Sequence, residues 1–146
     1  MDDKYLRIID ANLNRAKEGL RVVEEVARFI LNDEQLSKNL KTVRQSLRQL
    51  SANLADRKET ILARDSENDV GANTALSNRK STEDIVKANM SRVQEALRVL
   101  EEFSDDGMPF QALRYEAYTL EKRVLEKRRK AKNDKTTGGK SKLISR

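Results

Sequence analysis

The stretch Ala11-Asn-Leu-Asn-Arg-Ala-Lys-Glu-Gly-Leu-Arg-Val-Val-Glu-Glu-Val26 returns without gaps as Ala88-Asn-Met-Ser-Arg-Val-Gln-Glu-Ala-Leu-Arg-Val-Leu-Glu-Glu-Phe103. Nine of the sixteen positions are identical, at an offset of 77. Both copies keep apolar residues at alternating steps of three and four, the spacing that lines one face of an α-helix. In the first copy the stripe runs Leu6, Ile9, Leu13, Ala16, Leu20, Val23, Ala27 and Ile30. In the second it runs Ile85, Met90, Val93, Leu97 and Leu100.

Each copy is followed by another helical stripe. Asp33 can cap one that runs Leu36, Leu40, Val43, Leu47, Leu50 and Leu54. Asp106-Gly107 ends the second copy, Pro109 suits a first turn, and Phe110, Leu113, Ala117, Leu120 and Val124 follow. Val43-Arg44 with Leu50 faintly matches Leu113-Arg114 with Leu120. Two such hairpins, each with an unburied stripe, would close on each other, so the expected fold is all-α: a four-helix bundle built from a duplicated hairpin with a pseudo-twofold axis. Ser81 and Asp84 form a variant capping box for the third helix. A glycine inside a helix costs about 1 kcal/mol relative to alanine, so Gly19 implies the close approach of a backbone or a ligand.

Composition narrows the chemistry. Hydrophobic and charged residues each make up 37% of the chain, with one proline and five glycines. No apolar run is long enough to span a bilayer. Met1-Asp2-Asp3-Lys4 lacks the layout of a secretory signal, so the expected location is the cytoplasm. With no Cys and no His, thiol nucleophiles, imidazole bases and His/Cys zinc sites are excluded. A metal would have to be a hard cation on oxygen ligands, Mg²⁺ first of all. The charge of +6 is unevenly spread. Residues 122–146 carry eleven Lys and Arg against Glu126 and Asp134, so the remainder is mildly acidic. A pI near 9.6 therefore does not make this a nucleic-acid-binding fold. The expected organisation is a helical domain over 1–132 and a basic flexible tail over 133–146. Apolar stripes bury equally well within or between chains, which leaves a homo-oligomer open.

The repeat identities are not only apolar. Asn12/Asn89, Arg15/Arg92 and Glu18/Glu95 flank the buried stripe, where a polar side chain can turn toward a cleft. Arg21, Glu24 and Glu25 with their copies read as solvated helix pairs. Between helices two and three, residues 62–80 make an irregular stretch longer than most helix connections. Within it, Asp65 and Asp69 can share Mg²⁺, Arg64 can neutralise phosphate oxygens bidentately, and the competing reading is turns and caps. Tyr115 and Tyr118 can stack on a heteroaromatic ring or pack on a neighbouring helix. Thr137-Gly-Gly-Lys-Ser has the wrong spacing for a phosphate loop and follows no strand.

Several motifs recur in order: Arg7-Ile-Ile-Asp-Ala-Asn12 with Arg15, Glu18-Gly-Leu-Arg-Val22, Ala27-Arg-Phe29, Arg64-Asp-Ser-Glu-Asn-Asp69 with Gly71, Ala88-Asn89, Arg92, Glu95-Ala-Leu-Arg-Val-Leu-Glu-Glu-Phe103 and Arg114-Tyr115 with Tyr118 and Glu121. Together they resemble the small hydroxymethylpyrimidine-phosphate kinases of thiamine biosynthesis, found alone or fused ahead of thiamine-phosphate synthase. Ser66 departs mildly from the Thr expected there, and the basic tail is not part of the pattern. The resemblance implies phosphoryl transfer from ATP to hydroxymethylpyrimidine phosphate by a standalone domain with a functional link to the synthase. Arg64, Asp65 and Asp69 would be catalytic, with Asp65 and Asp69 on Mg²⁺. Arg7, Arg15, Arg44, Arg92 and Arg114 would bind phosphates, Asn12, Glu18, Asn89 and Glu95 the pyrimidine edge, and Tyr115 a ring. Two other readings compete: a non-catalytic module binding nucleic acid or protein through the tail, and an accessory domain of the synthase.

Overall fold

The structure, a computed structural model, describes residues 2–72 and 78–144, with side chains as far as residue 136. Residues 73–77, inside the long connection, lie outside the described residues, as do the side chains of the Thr137-Gly-Gly-Lys-Ser stretch. Five α-helices account for the fold, and no strand occurs among the described residues: α1 (Asp3–Glu25), α2 (Glu34–Leu54), α3 (Arg57–Leu62), α4 (Thr82–Phe103) and α5 (Met108–Ile144). No helix among the described residues is long and apolar enough to cross a membrane.

Local chemistry sets the ends. Asp2, Asp33, Asp56 and Ser81 each accept a backbone N–H in the first turn of the helix that follows, satisfying donors with no partner inside the helix. Asp84 reaches back one residue past the cap and accepts from the Lys80 N–H at 3.3 Å, where a regular capping box would take the Ser81 N–H. The end of α1 widens into a π-type turn over Val26–Ile30, where the Leu31 N–H donates to the Val26 carbonyl at 3.0 Å. Asn32 then takes a left-handed conformation (φ 51°), which Asn tolerates better than branched residues. The wider turn shifts the helical register, so Ile30, which the stripe places inside, is 47% exposed. The six-residue α3 is a second departure, since the sequence reading leaves those residues outside any helix. Its signature is Asp56-Arg-Lys-Glu59, a cap followed three residues later by an acid.

The four long helices close into a ring of contacts, α1 on α2 and α4, α5 on α4 and α2. Inside the ring lie the stripes read from sequence. Ile9, Leu20, Val23, Leu40, Leu47, Met90, Val93, Leu97, Leu100 and Phe110 are essentially inaccessible, each such side chain stabilising the fold by about 1.5–3 kcal/mol.

The two copies of the repeat pack directly on each other. A Cβ built at Gly19 would lie 2.9 Å from the Asn89 carbonyl oxygen and 2.7 Å from Val93 Cγ2. The close approach is therefore that of a neighbouring helix rather than a ligand. Tyr5 packs edge-on against Phe103 at 5.6 Å between ring centroids, so α1 and α4 run antiparallel. Their polar identities recur as structure. The Asn12 amide donates to the Ile8 carbonyl at 2.8 Å, and Asn89 donates to Ile85 at 2.8 Å. Glu24 on α1 accepts from Arg44 on α2 at 3.0 Å, and Glu101 on α4 accepts from Arg114 on α5 at 2.9 Å. Glu24 and Glu101 keep the expected within-helix partners, Arg21 at 4.0 Å and Arg98 at 3.2 Å, but they are mostly buried and also clasp each hairpin shut.

Helix α5 is assigned through Ile144, past the end expected near Lys132. Leu, Glu, Lys, Arg and Ala fill residues 125–132, so the helix propagates beyond Val124, its last deeply buried residue, on good propensity, with Leu125 partly buried against the core. Lys127 approaches Asp33 at 3.9 Å, while Arg128 and Lys132 approach Glu83 at 3.5 and 3.6 Å. Residues 132–136 are exposed.

Candidate functional site

Alongside the buried stripe, α1 carries a polar one at the same helical spacing: Arg7, Asp10, Asn14 and Lys17. Its repeat equivalents on α4 are Asp84, Lys87, Ser91 and Gln94. Both stripes line clefts, and the two sets of clefts correspond.

On the α1 side, Arg7, Asp10 and Asn14 face Arg64, Asp65 and Asp69 of the connection across a cleft of about 280 Å³. The buried Asp10 carboxylate accepts from Arg64 Nε at 2.7 Å and Nη2 at 2.8 Å, a bidentate pair that pins the loop to α1 and pushes the guanidinium further above its ordinary pKa. Asn14 donates to the same carboxylate at 3.3 Å. Asp65 accepts from the Asn68 side chain at 3.0 and 3.1 Å, and Asp69 accepts from the Gly71 N–H at 2.9 Å. These are turn contacts that also hold both carboxylates at the rim. No group of three or more acidic side chains that could hold a metal occurs among the described residues. Two carboxylates beside a phosphate site still make an ordinary donor set for Mg²⁺, which keeps waters and takes substrate phosphates as ligands.

Asp10 and Asn14 also form the wall of a second, narrower cleft of about 150 Å³, where α1, α2 and α3 meet. Lys17, Arg48 and Arg57 line it, and none of the three side chains makes a hydrogen bond or ion pair among the described residues. The Lys17 ammonium is pushed below its ordinary value by burial first, then by the Arg57 and Arg48 guanidiniums.

On the α4 side, Asp84, Lys87 and Ser91 line a cleft of about 320 Å³ with Asn78 and Arg79. A neighbouring cleft of similar size holds Gln94, Glu95, Arg98, Arg114 and Tyr118. Gln94 donates to Glu121 on α5 at 3.4 Å, and burial pushes the Glu121 carboxyl up.

The residues singled out from sequence are therefore dispersed. Arg7, Arg64, Asp65 and Asp69 share one cleft, and Glu95 and Arg114 share another. Tyr115 is exposed, with Tyr118 edge-on at 5.9 Å and the Arg114 guanidinium 5.1 Å over its ring. Asn12 is buried and accepts from Arg15 at 3.4 Å, while Asn89 is half-buried beside Gly19. Glu18 and Arg92 are exposed on the outer faces of α1 and α4. Arg44 sits with Glu24, beside a cleft of about 470 Å³ that none of the expected site residues lines. Sequence reading missed Asp10, Asn14, Lys17, Arg48 and Arg57. The signal for the first three was their spacing of four and three on one helix face.

The ThiD2 family matches residues 7–123. The thiamine-phosphate synthase of Synechococcus sp. (strain WH7803) is 45% identical over 130 residues, covering 86% of this chain and 36% of that protein. That of Nostoc punctiforme is 43% identical over 129 residues, covering 82% and 35%. That of Rhodopirellula baltica is 41% identical over 121 residues, covering 77% and 32%. This chain thus spans about a third of the length of these curated relatives. No solved structure matches it. With the match running over most of its length, from Arg7 at the first cleft to the end of the repeat and beyond, the chain belongs to the ThiD2 family.

Proposed function

We propose that this chain transfers the terminal phosphoryl group of ATP to hydroxymethylpyrimidine phosphate, giving the diphosphate and ADP. Family membership and the name its relatives share connect it to thiamine biosynthesis. The observation that carries the finer reading is the meeting of Arg7 and Arg64 with Asp65 and Asp69 around one opening. Cations beside two rim carboxylates suit phosphate oxygens and a hard metal ion together.

In the reaction an oxygen of the acceptor phosphate bonds to the terminal phosphorus of ATP. The bond from that phosphorus to its bridging oxygen breaks, and the electron pair leaves with ADP. A phosphate monoester has its second pKa near about 6, so the attacking oxygen is already ionised at neutral pH. No side-chain base is needed, which suits a chain without His. What remains is positioning and charge neutralisation. Asp65 and Asp69 would hold Mg²⁺, which supplies charge neutralisation at the phosphate oxygens. Arg7 binds and orients phosphate, while Arg64, whose bidentate edge is already given to Asp10, offers phosphate its outer Nη1 edge rather than the two-pronged contact expected from sequence.

The test is ADP release from Mg²⁺-ATP with hydroxymethylpyrimidine phosphate, alongside the free alcohol. Turnover of the phosphate form is expected. Asp69→Asn should abolish turnover and leave the helical circular dichroism intact, because Asp69 is exposed and, among the described residues, its side chain bonds only its own turn. Full activity in that variant removes Asp69 from the site. Because the chain spans a third of its relatives, an accessory role toward the remaining two thirds is the second reading, and binding to that portion without turnover would identify it.

A further inference from the structure

We propose that the narrow cleft between α1, α2 and α3 is a phosphate site, in which Lys17, Arg48 and Arg57 take the terminal phosphate or diphosphate group of a substrate. The charges there do not balance without one. Both oxygens of Asp10, the acid in its wall, are already held by Arg64, so that pair is neutral. Three cations contributed by three different helices are left facing one opening whose one acid, Asp10, is shared with Arg64 and offsets only part of the charge on Lys17. Cations on a solvated surface spread apart, whereas these converge closely enough that the Arg57 and Arg48 guanidiniums disfavour the charged form of Lys17. A phosphate dianion relieves that repulsion, and guanidiniums match its oxygens in fork geometry.

Size and position narrow the ligand. At about 150 Å³ the cleft admits a terminal phosphate group and not a nucleic-acid backbone. Asp10 and Asn14 line both this cleft and the one holding Asp65 and Asp69, so a phosphate chain can run from one into the other. The second copy of the repeat lacks the site. Gln94 replaces Lys17, Tyr118 stands where Arg48 does when counted from the matched Arg44 and Arg114, and Glu121 adds an acid. The phosphate site therefore belongs to the first half of the duplication.

This deepens the kinase reading and rests on it only for the identity of the phosphate carrier. The test is calorimetric titration of the full chain, at fixed ionic strength, with pyrophosphate, inorganic phosphate, metal-free ATP and hydroxymethylpyrimidine phosphate. The variants are Lys17→Met with Arg48→Met, and Arg129→Met on the outlying end of α5 as a control. The double variant should bind pyrophosphate roughly tenfold or more weakly, since each lost contact is charge-assisted, while the control binds as wild type. Equal affinity in the double variant, an equal loss in the control, or no binding by wild type overturns the site. Should the double variant lose helicity, Arg57→Met, at an exposed position, takes its place under the same criteria. Loss of affinity for ATP alone assigns the site to the donor, and loss for the pyrimidine phosphate alone to the acceptor. Pyrophosphate binding that needs Lys17 and Arg48, in a protein that turns over no acceptor, keeps the site and removes the kinase reading.

Discussion

At Gly19 a methyl group would meet the Asn89 carbonyl oxygen at 2.9 Å and Val93 Cγ2 at 2.7 Å. Val93 can adjust, but a backbone oxygen inside a packed helix cannot move without dragging α4 outward. Overpacking of this kind costs about 1–3 kcal/mol, and alanine's better helix propensity returns about 1. Gly19→Ala should therefore lower stability by up to about 2 kcal/mol in urea denaturation. An unchanged midpoint would mean that α1 and α4 separate more easily than their contact implies. Lys17 makes a prediction of opposite sign. Its folded pKa lies below the ordinary 10.5, so the charged form opposes folding at neutral pH. That penalty is withdrawn as the pH rises through the lowered value toward 10.5. Lys17→Met should melt at or above the wild-type temperature at pH 7, with the difference shrinking toward pH 10. A variant that melts lower at every pH would show that the ammonium is structural.

The clasps Glu24–Arg44 and Glu101–Arg114 act on whole elements, since each joins two helices of a hairpin through mostly buried groups. Removing one partner strands the other in a poorly solvated place. Glu24→Gln and Glu101→Gln should each cost about 3 kcal/mol in chemical denaturation, and a loss under about 1 kcal/mol would reclassify the pair as a screened surface contact. The long helices were legible because apolar period and capping residues are local facts, read correctly at Asp33 and Ser81. Ile30 was misread because a π-type turn changes the period within one stretch that still looks helical. The site was legible in part. Arg7, Arg64, Asp65 and Asp69 do meet, yet Arg44 looked free because its acid lies twenty residues away on another helix. Lys17, Arg48 and Arg57 drew no notice in the sequence, because each lies on the polar side of a different segment. Their convergence exists only once three helices have packed.

For the molecule as a whole, the basic C-terminal region divides at about Lys132. Arg128 and Lys132 reach back to Glu83 and Lys127 to Asp33, whereas the next residues face solvent. Deletion from Asp134 onward should change unfolding free energy by no more than about 0.5 kcal/mol. Deletion from Lys127 should cost measurably more, and equal losses would show that those long-reaching cations contribute nothing. The antiparallel pairing of α1 with α4 has a further consequence. Two separate hairpins meeting this way would be a symmetric dimer in which every substitution occurs twice. An aspartate at the first cleft would force an aspartate at the second. Joining the copies in one chain lifts that constraint and keeps each hairpin at high effective concentration around the other. Asp10 can then stand where the other copy has Lys87, and Lys17 where it has Gln94. A symmetric pair offers the same mouth twice, while a joined pair is free to offer two different ones to two different molecules.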